Sequence, residues 1–428
     1  LITGLLGNFS VRDATCRERL GIFFYSISMT PEIRLRIHEA LDRFEIELPS
    51  WGFADTGTRF GKFLQDGAAI DLADKLADAG EVHKLTGCCP KVAVHVLWDF
   101  EEGDDPAEVA RLAARHGVKI GSINPNLFQD QDYRLGSLCN PAAEIRARAC
   151  RHIEDSIKLG QSLESEIVTL WLADGTNYPG QGSIRARKQV LEKALEEFHG
   201  KLSEEQTFLI EYKPFEPAFY HTDIADWGMS YIYAKKMGPQ AKVLVDTGHH
   251  YQGQNIEQIV AWLLDEDMLG GFHFNDRRYA DDDLTLGSID PYQIFRIFGE
   301  IHGYAASKDG RYPGIEYMVD QSHNLKPKIE AMIETVMTAQ ELYAKAALID
   351  FGQLEKHQAS GEIVDAERLM KQAFNKDVSG EIDEWRKGRG LSPDPLIAFR
   401  ESGYLERIAA DRLARRAALG ISESGSYA

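Results

Sequence analysis

Between residues 46 and 324 the chain repeats one pattern eight times: a short apolar or β-branched run that ends in polar residues, set off from the next by helical spacing. The runs are "IELPSWGF" (46–53), "KVAVHVLWD" (91–99), "VKIGSINPNLF" (118–128), "EIVTLWLADG" (166–175), "TFLIEYKPF" (207–215), "KVLVDTGHH" (242–250), "GGFHFND" (270–276) and "YMVDQSHN" (317–324). Between them lie stretches such as "PAEVARLAARHG", "AAEIRARACRHIEDSIKLG" and "IEQIVAWLLDEDML", whose apolar residues recur with helical period. Short runs alternating with helices give a parallel sheet, and eight such units match the length of about 250 residues typical of a (β/α)8 barrel. The sequence therefore predicts an α/β fold, a (β/α)8 TIM barrel over 46–325. A doubly wound open sheet alternates in the same way and is the runner-up; no glycine-rich phosphate fingerprint follows the first strand.

Chemistry in such a barrel sits at the carboxyl ends of the strands. There the sequence places His95, Asn124, Trp171, Glu211, Lys213, Asp246, His249, His273 and Asp320. Strand side chains alternate, so Glu211 and Lys213 face one way and Tyr212 the other. A buried charge needs a partner, which a Glu–Lys pair or a metal ion supplies. Asp246, His273 and Asp320 end the next three strands in order, and with Glu211 they make a mixed oxygen and nitrogen donor set suited to Mn²⁺, Co²⁺, Mg²⁺ or Zn²⁺. His249 follows Asp246 by three residues, and Asp281 and Asp283 share a face of the next acidic loop; these are candidates for a second ion, against the reading of a solvated acidic turn. His95 reads either as a satisfied core histidine or as a site residue at its strand end. Trp51, Phe60, Phe128, Trp171 and Phe215 read as core packing or as the apolar wall of a sugar site, with Trp51 and Trp171 best placed for the latter. His250, His323 and Asp276 are candidates for orienting the ligands.

Residues 326–428 are helix-rich and charged, and form a helical extension that is either a solvated arm or an oligomer contact. Its last residues, "GISESGSYA", are expected to be disordered. Residues 1–45 precede the barrel; Met29 opens the helical pattern "MTPEIRLRIHEALDRF", and the first 28 residues read as an upstream extension of the frame. The formal charge of −19 disfavours a nucleic-acid partner, and no apolar stretch approaches the roughly 20 residues of a membrane span. The five cysteines, Cys88 and Cys89 among them, show no C-x-x-C spacing and read as buried free thiols in a reducing cytoplasm.

Taken in order, "PSWG", "GTRF", "WLADGTNYPGQ", "EYKPFEPAFY", "VDTGHH", "GGFHFND", "DDDL" and "VDQSHN" resemble the L-rhamnose isomerase family, in its branch of broad-specificity bacterial aldose–ketose isomerases. The likeness runs from about residue 46 to "SGY" near 404. It implies an enzyme, usually Mn²⁺-dependent and tetrameric, that interconverts L-rhamnose and L-rhamnulose and acts on other aldoses. Carried over residue by residue, it makes Glu211, Asp246, His273 and Asp320 the ligands of a structural ion. It makes His249, Asp281 and Asp283 ligands of a catalytic ion. Lys213 falls on the lysine at a substrate oxygen, His95 on the histidine that meets the sugar near ring opening, and Trp171 and Phe128 on pocket positions. Asp320 or a metal-bound water would serve as base if the hydrogen moves through an enediol; a hydride shift is the other route. The sequence departs from the family in its short amino-terminal helix and at Tyr212, where some relatives carry histidine. A ketose 3-epimerase of the same barrel type, a metal-dependent hydrolase and a non-catalytic sugar-binding barrel are the alternatives.

Overall fold

The computed structural model describes residues 27–58, 61–216, 220–279 and 282–421. Phe60, Asp281, most of the upstream stretch and most of the terminal "GISESGSYA" lie outside the described residues. Eight parallel strands form one sheet in chain order: β1 (Leu48–Pro49), β2 (Lys91–His95), β3 (Lys119–Asn124), β4 (Ile167–Leu170), β5 (Thr207–Glu211), β6 (Ala241–Asp246), β7 (Leu269–Phe274) and β8 (Glu316–Val319). The sheet closes on itself at Glu47, whose N–H donates to Tyr317 O at 2.8 Å and whose carbonyl accepts from Val319 N at 2.9 Å. The expected (β/α)8 barrel is thus observed.

Around it lie α1 (Pro31–Arg43), α2 (Leu72–Thr86), α3 (Pro106–Arg115), α4 (Ala143–Ser162), α5 (Ile184–His199), α6 (Trp227–Met237), α7 (Ile256–Asp265), α8 (Pro291–Ser307) and α9 (Lys328–Ala346). Most start at a side-chain cap that accepts an otherwise unpaired backbone N–H: Thr30, Asp71, Asp105, Ser183, Asp226, Asn255 and Asp290 do this.

Strand alternation divides the core in two. Phe208, Ile210, Val243, Val245, Phe272 and Phe274 point outward to the helices. Leu209, Leu244 and Met318 point inward and form a separate apolar plug. Two residues further along the same inward rows come Glu211, Asp246 and Asp320, so the plug floors the cup in which these carboxylates sit. In β7 the corresponding row is Gly271 then His273; a Cβ on Gly271 would lie 2.9 Å from Glu316 O, so only glycine permits this strand contact.

Two runs depart from the expected strands. The first keeps only Leu48–Pro49, because Pro49 has no N–H to continue the ladder, and Ser50–Phe53 turns into a 3-10 helix. The second ends at His95, where Asp99 Oδ2 accepts the His95 N–H at 2.8 Å and Asn126 Oδ1 accepts that of Leu97 at 2.8 Å, turning Val96–Asp99 into a helical turn.

Beyond α9 come α10 (Phe351–Ser360), α11 (Ile363–Phe374), α12 (Ser379–Gly388), α13 (Pro395–Glu401) and α14 (Tyr404–Leu419). This tail folds onto its own barrel. Buried Arg412 on α14 makes a two-pronged pair with Asp78 of α2, at 2.8 and 2.9 Å, and Arg416 reaches Asp55 at 2.5 Å.

Candidate metal centre

Four consecutive strands bring one candidate ligand each to the cup. Single donor atoms of Glu211, Asp246, His273 and Asp320 all lie within 4.8 Å of one another. His273 Nδ1 stands 3.3 Å from Glu211 Oε2 and 3.6 Å from Asp320 Oδ2. The first contact lacks hydrogen-bond direction and the second is too long for a hydrogen bond, so both buried ring nitrogens of His273 lack a hydrogen-bond partner. His249 adds its Nδ1 at 3.1 Å from Glu211 Oε1 and its Nε2 at 3.9 Å from Asp246 Oδ2.

The electrostatics carry the strain of collecting like charges. Burial pushes the Asp246 carboxyl up to about 7, against the pull of His249 and with the repulsion of Glu211. Burial likewise raises Asp320. For Glu211 burial works in the same direction, but His273 and His249 outweigh it and hold this carboxyl well below its usual range. Burial opposes the charge of His273, yet Glu211, Asp320 and Asp246 together lift it to about 9. Three carboxylates and an imidazole with unbonded nitrogens, crowded in one buried cup, are a donor set that fits a divalent cation.

One wall of the cup is aromatic. The His95 ring packs against Trp51 at 4.6 Å, Trp98 at 4.2 Å and Phe128 at 5.9 Å between centroids, and Phe128 meets Trp171 at 5.0 Å. Burial, then the nearby His273, lowers His95 to about 3, so it is neutral at physiological pH. The Lys213 ammonium lies 4.9 Å over the Trp171 ring, on the inward side shared with Glu211. Tyr212 points away and bonds His250 through its hydroxyl at 2.7 Å.

The model of the family described as "Xylose isomerase-like TIM barrel" matches residues 92–320, from β2 through Asp320. This chain belongs to that family. Among curated relatives of this xylose isomerase-like barrel, a "probable sugar isomerase" of Mesorhizobium japonicum is 37% identical over 383 residues, covering 88% of each chain. A "probable sugar isomerase" of Rhizobium meliloti is 36% identical over 376 residues, 86% of each. A xylose isomerase of Thermus thermophilus is 28% identical over 182 residues, 40% of this chain and 46% of its own.

Within this xylose isomerase-like barrel two residues of the loop after β7 stand apart from the four cup residues. Asp283 has its carbonyl against Ser322 N at 3.2 Å and a φ of +46°, and among the described residues no group of three ligands includes it. Asp276 is occupied by the backbone N–H groups of Arg277, Ile289 and Asp290, and so shapes a loop instead of orienting a ligand. Two contacts were not foreseen. Trp51 Nε1–H donates to Asp320 Oδ1 at 2.8 Å, and Asn275 Nδ2–H donates to both oxygens of Asp246 at 3.1 and 3.2 Å. Alternation held the signal for the second, since Asn275 follows His273 by two on the inward row.

Proposed function

We propose that the chain is a metal-dependent aldose–ketose isomerase whose leading reaction is L-rhamnose to L-rhamnulose, with other aldoses accepted. The observation that carries this reading is the meeting of Glu211, Asp246, His273 and Asp320 in one buried cup beside an aromatic wall and a lysine. The names of the curated relatives and the order of the quoted motifs support it. These four residues hold one divalent ion, Mn²⁺ in the leading case. His249, Asp281 and Asp283 hold a second. No helix among the described residues is long and apolar enough to cross a membrane; from its free cysteines and the family resemblance we place the enzyme in the cytoplasm as a homotetramer.

A divalent cation bound here supplies Lewis acidity toward the oxygens of an aldose. The chain's own residues do the rest. Trp51, Phe128 and Trp171 cover an apolar sugar face and exclude water. Neutral His95, on the aromatic wall beside Trp51 and Phe128, hydrogen-bonds the ring oxygen as the pyranose opens. Lys213 donates to O1 as that oxygen gains charge. The hydrogen then passes between C1 and C2, either directly as hydride or through an enediol with Asp320 as base. Loss of a C2 deuterium label to solvent marks the enediol route, and its retention at C1 marks the hydride route.

Incubation of metal-loaded protein with a panel of aldoses, with products separated by chromatography, tests the proposal. Ketose from L-rhamnose, abolished by chelator and by Glu211→Gln, is the expected result. Full turnover in excess chelator refutes the metal dependence, and ketoses altered only at C3 assign the protein to the epimerases instead.

A further inference from the structure

The second oxygens of the two aspartates are tied off by donors from outside the ligand set. Asp246 Oδ1 accepts from Gly248 N at 2.6 Å and His249 N at 3.2 Å, while the Asn275 amide spans both oxygens of Asp246 at 3.1 and 3.2 Å. Asp320 Oδ1 accepts from Trp51 Nε1 at 2.8 Å. The Oδ2 oxygens stand toward His249 Nε2 in one case and His273 Nδ1 in the other.

Both donors are themselves fixed. Asn275 is fully buried; its N–H donates to Thr247 Oγ1 at 3.0 Å, and that hydroxyl donates back to Asn275 O at 2.8 Å. A Cβ on Gly248 would overlap the Asn275 amide, so glycine there lets the amide reach Asp246. Trp51 belongs to the Ser50–Phe53 turn, which is anchored at both ends. Ser50 Oγ donates to Asp99 Oδ2 at 2.6 Å, the oxygen that also takes His95 N, while Lys75 pairs with Asp99 Oδ1 at 2.6 Å. On the other side a Cβ at Gly52 would meet Gln321 O at 3.2 Å, so the turn lies directly against the residue after Asp320. The Trp51 ring is simultaneously the edge-on neighbour of His95. One short turn therefore orients a ligand and a substrate-facing histidine together.

We propose that Trp51 is a positioning residue that makes Asp320 a one-oxygen ligand, and thereby sets which ion the cup prefers. This rests on the metal-centre reading above. A carboxylate locked to a single oxygen suits a small ion of octahedral habit such as Mn²⁺. Ca²⁺ gains from two-oxygen carboxylates and from six to eight oxygens in all. Freeing the second oxygen loosens the orientation that serves Mn²⁺ and adds a donor that serves Ca²⁺. Loss of such outer partners commonly costs about 10- to 100-fold in metal affinity.

The test is calorimetric titration of chelator-stripped full-length protein with Mn²⁺ and, separately, with Ca²⁺, for wild type and Trp51→Phe. Trp51→Phe keeps an aromatic ring beside His95 and removes the N–H that holds Asp320 Oδ1. The expected result is a loss of Mn²⁺ affinity of about tenfold with Ca²⁺ affinity held or tightened, so that the Mn²⁺ to Ca²⁺ ratio falls about tenfold or more. A merely structural lesion weakens both ions alike; an unchanged ratio, in a wild type that binds Mn²⁺, overturns this inference alone. A wild type that binds no Mn²⁺ overturns the metal-centre reading instead.

Discussion

Replacing Glu47 by glutamine should stabilise the protein by an amount that grows as pH rises from about 4.5 and levels off above about 7. Glu47 sits where the barrel closes, at the opposite mouth from the cup. Its carboxylate accepts from Ser122 N at 2.5 Å and from Ser122 Oγ at 3.1 Å. Burial pushes this carboxyl from its usual 4.5 up to about 7; the Ser122 N–H pulls the other way, Glu316 adds to the rise and Lys91 opposes it. Below pH 4.5 the group is protonated in the folded and unfolded chain alike and contributes nothing. As pH climbs to 7 the unfolded chain gives up its proton first, so the fold loses stability, and above 7 the whole cost is present. At about 1.4 kcal/mol per pKa unit the full cost is about 3 kcal/mol. Glutamine keeps an oxygen for the Ser122 N–H, and the serine hydroxyl can turn to accept from the new amide. Urea unfolding of wild type and Glu47→Gln at pH 5 and pH 8 measures the effect. The stability difference should favour the variant by about 2 to 3 kcal/mol more at pH 8 than at pH 5. A difference independent of pH, or a variant that is weaker at pH 8, refutes the reasoning.

Two further outcomes are expected. Arg412→Ala leaves the carboxyl of Asp78, which burial raises to about 6 even beside that guanidinium, without its charged partner; it should cost about 3 to 5 kcal/mol in urea unfolding, and a cost below about 1 kcal/mol contradicts the buried pair. Lys213→Met should leave Mn²⁺ affinity within about threefold while lowering kcat about 100-fold or more, and a kcat within about tenfold of wild type removes Lys213 from the chemistry.

The barrel and the four residues that converge in its cup were legible because strand period is a strong local rule. Once Leu209, Leu244 and Met318 are inward, Glu211, Asp246 and Asp320 must be inward too, and eight apolar runs of strand length leave few other folds. The Ser50–Phe53 turn was not legible. Its conformation depends on Asp99, a residue 49 positions away, and the partner of the Trp51 N–H lies 269 positions away, so a reading of "PSWG" alone suggests only an aromatic wall. Asp276 was misjudged for a related reason: it lies just past β7, where period no longer applies and loop backbone competes for its oxygens. Asp283, on the same acidic loop, carries a left-handed φ that no alternation rule anticipates.

The most direct measurement is anomalous diffraction at the manganese edge from crystals of the full chain grown in saturating Mn²⁺. The account predicts a peak within about 2.0 to 2.5 Å of one oxygen each from Glu211, Asp246 and Asp320 and of a ring nitrogen of His273. A map with no anomalous peak between those four side chains contradicts it.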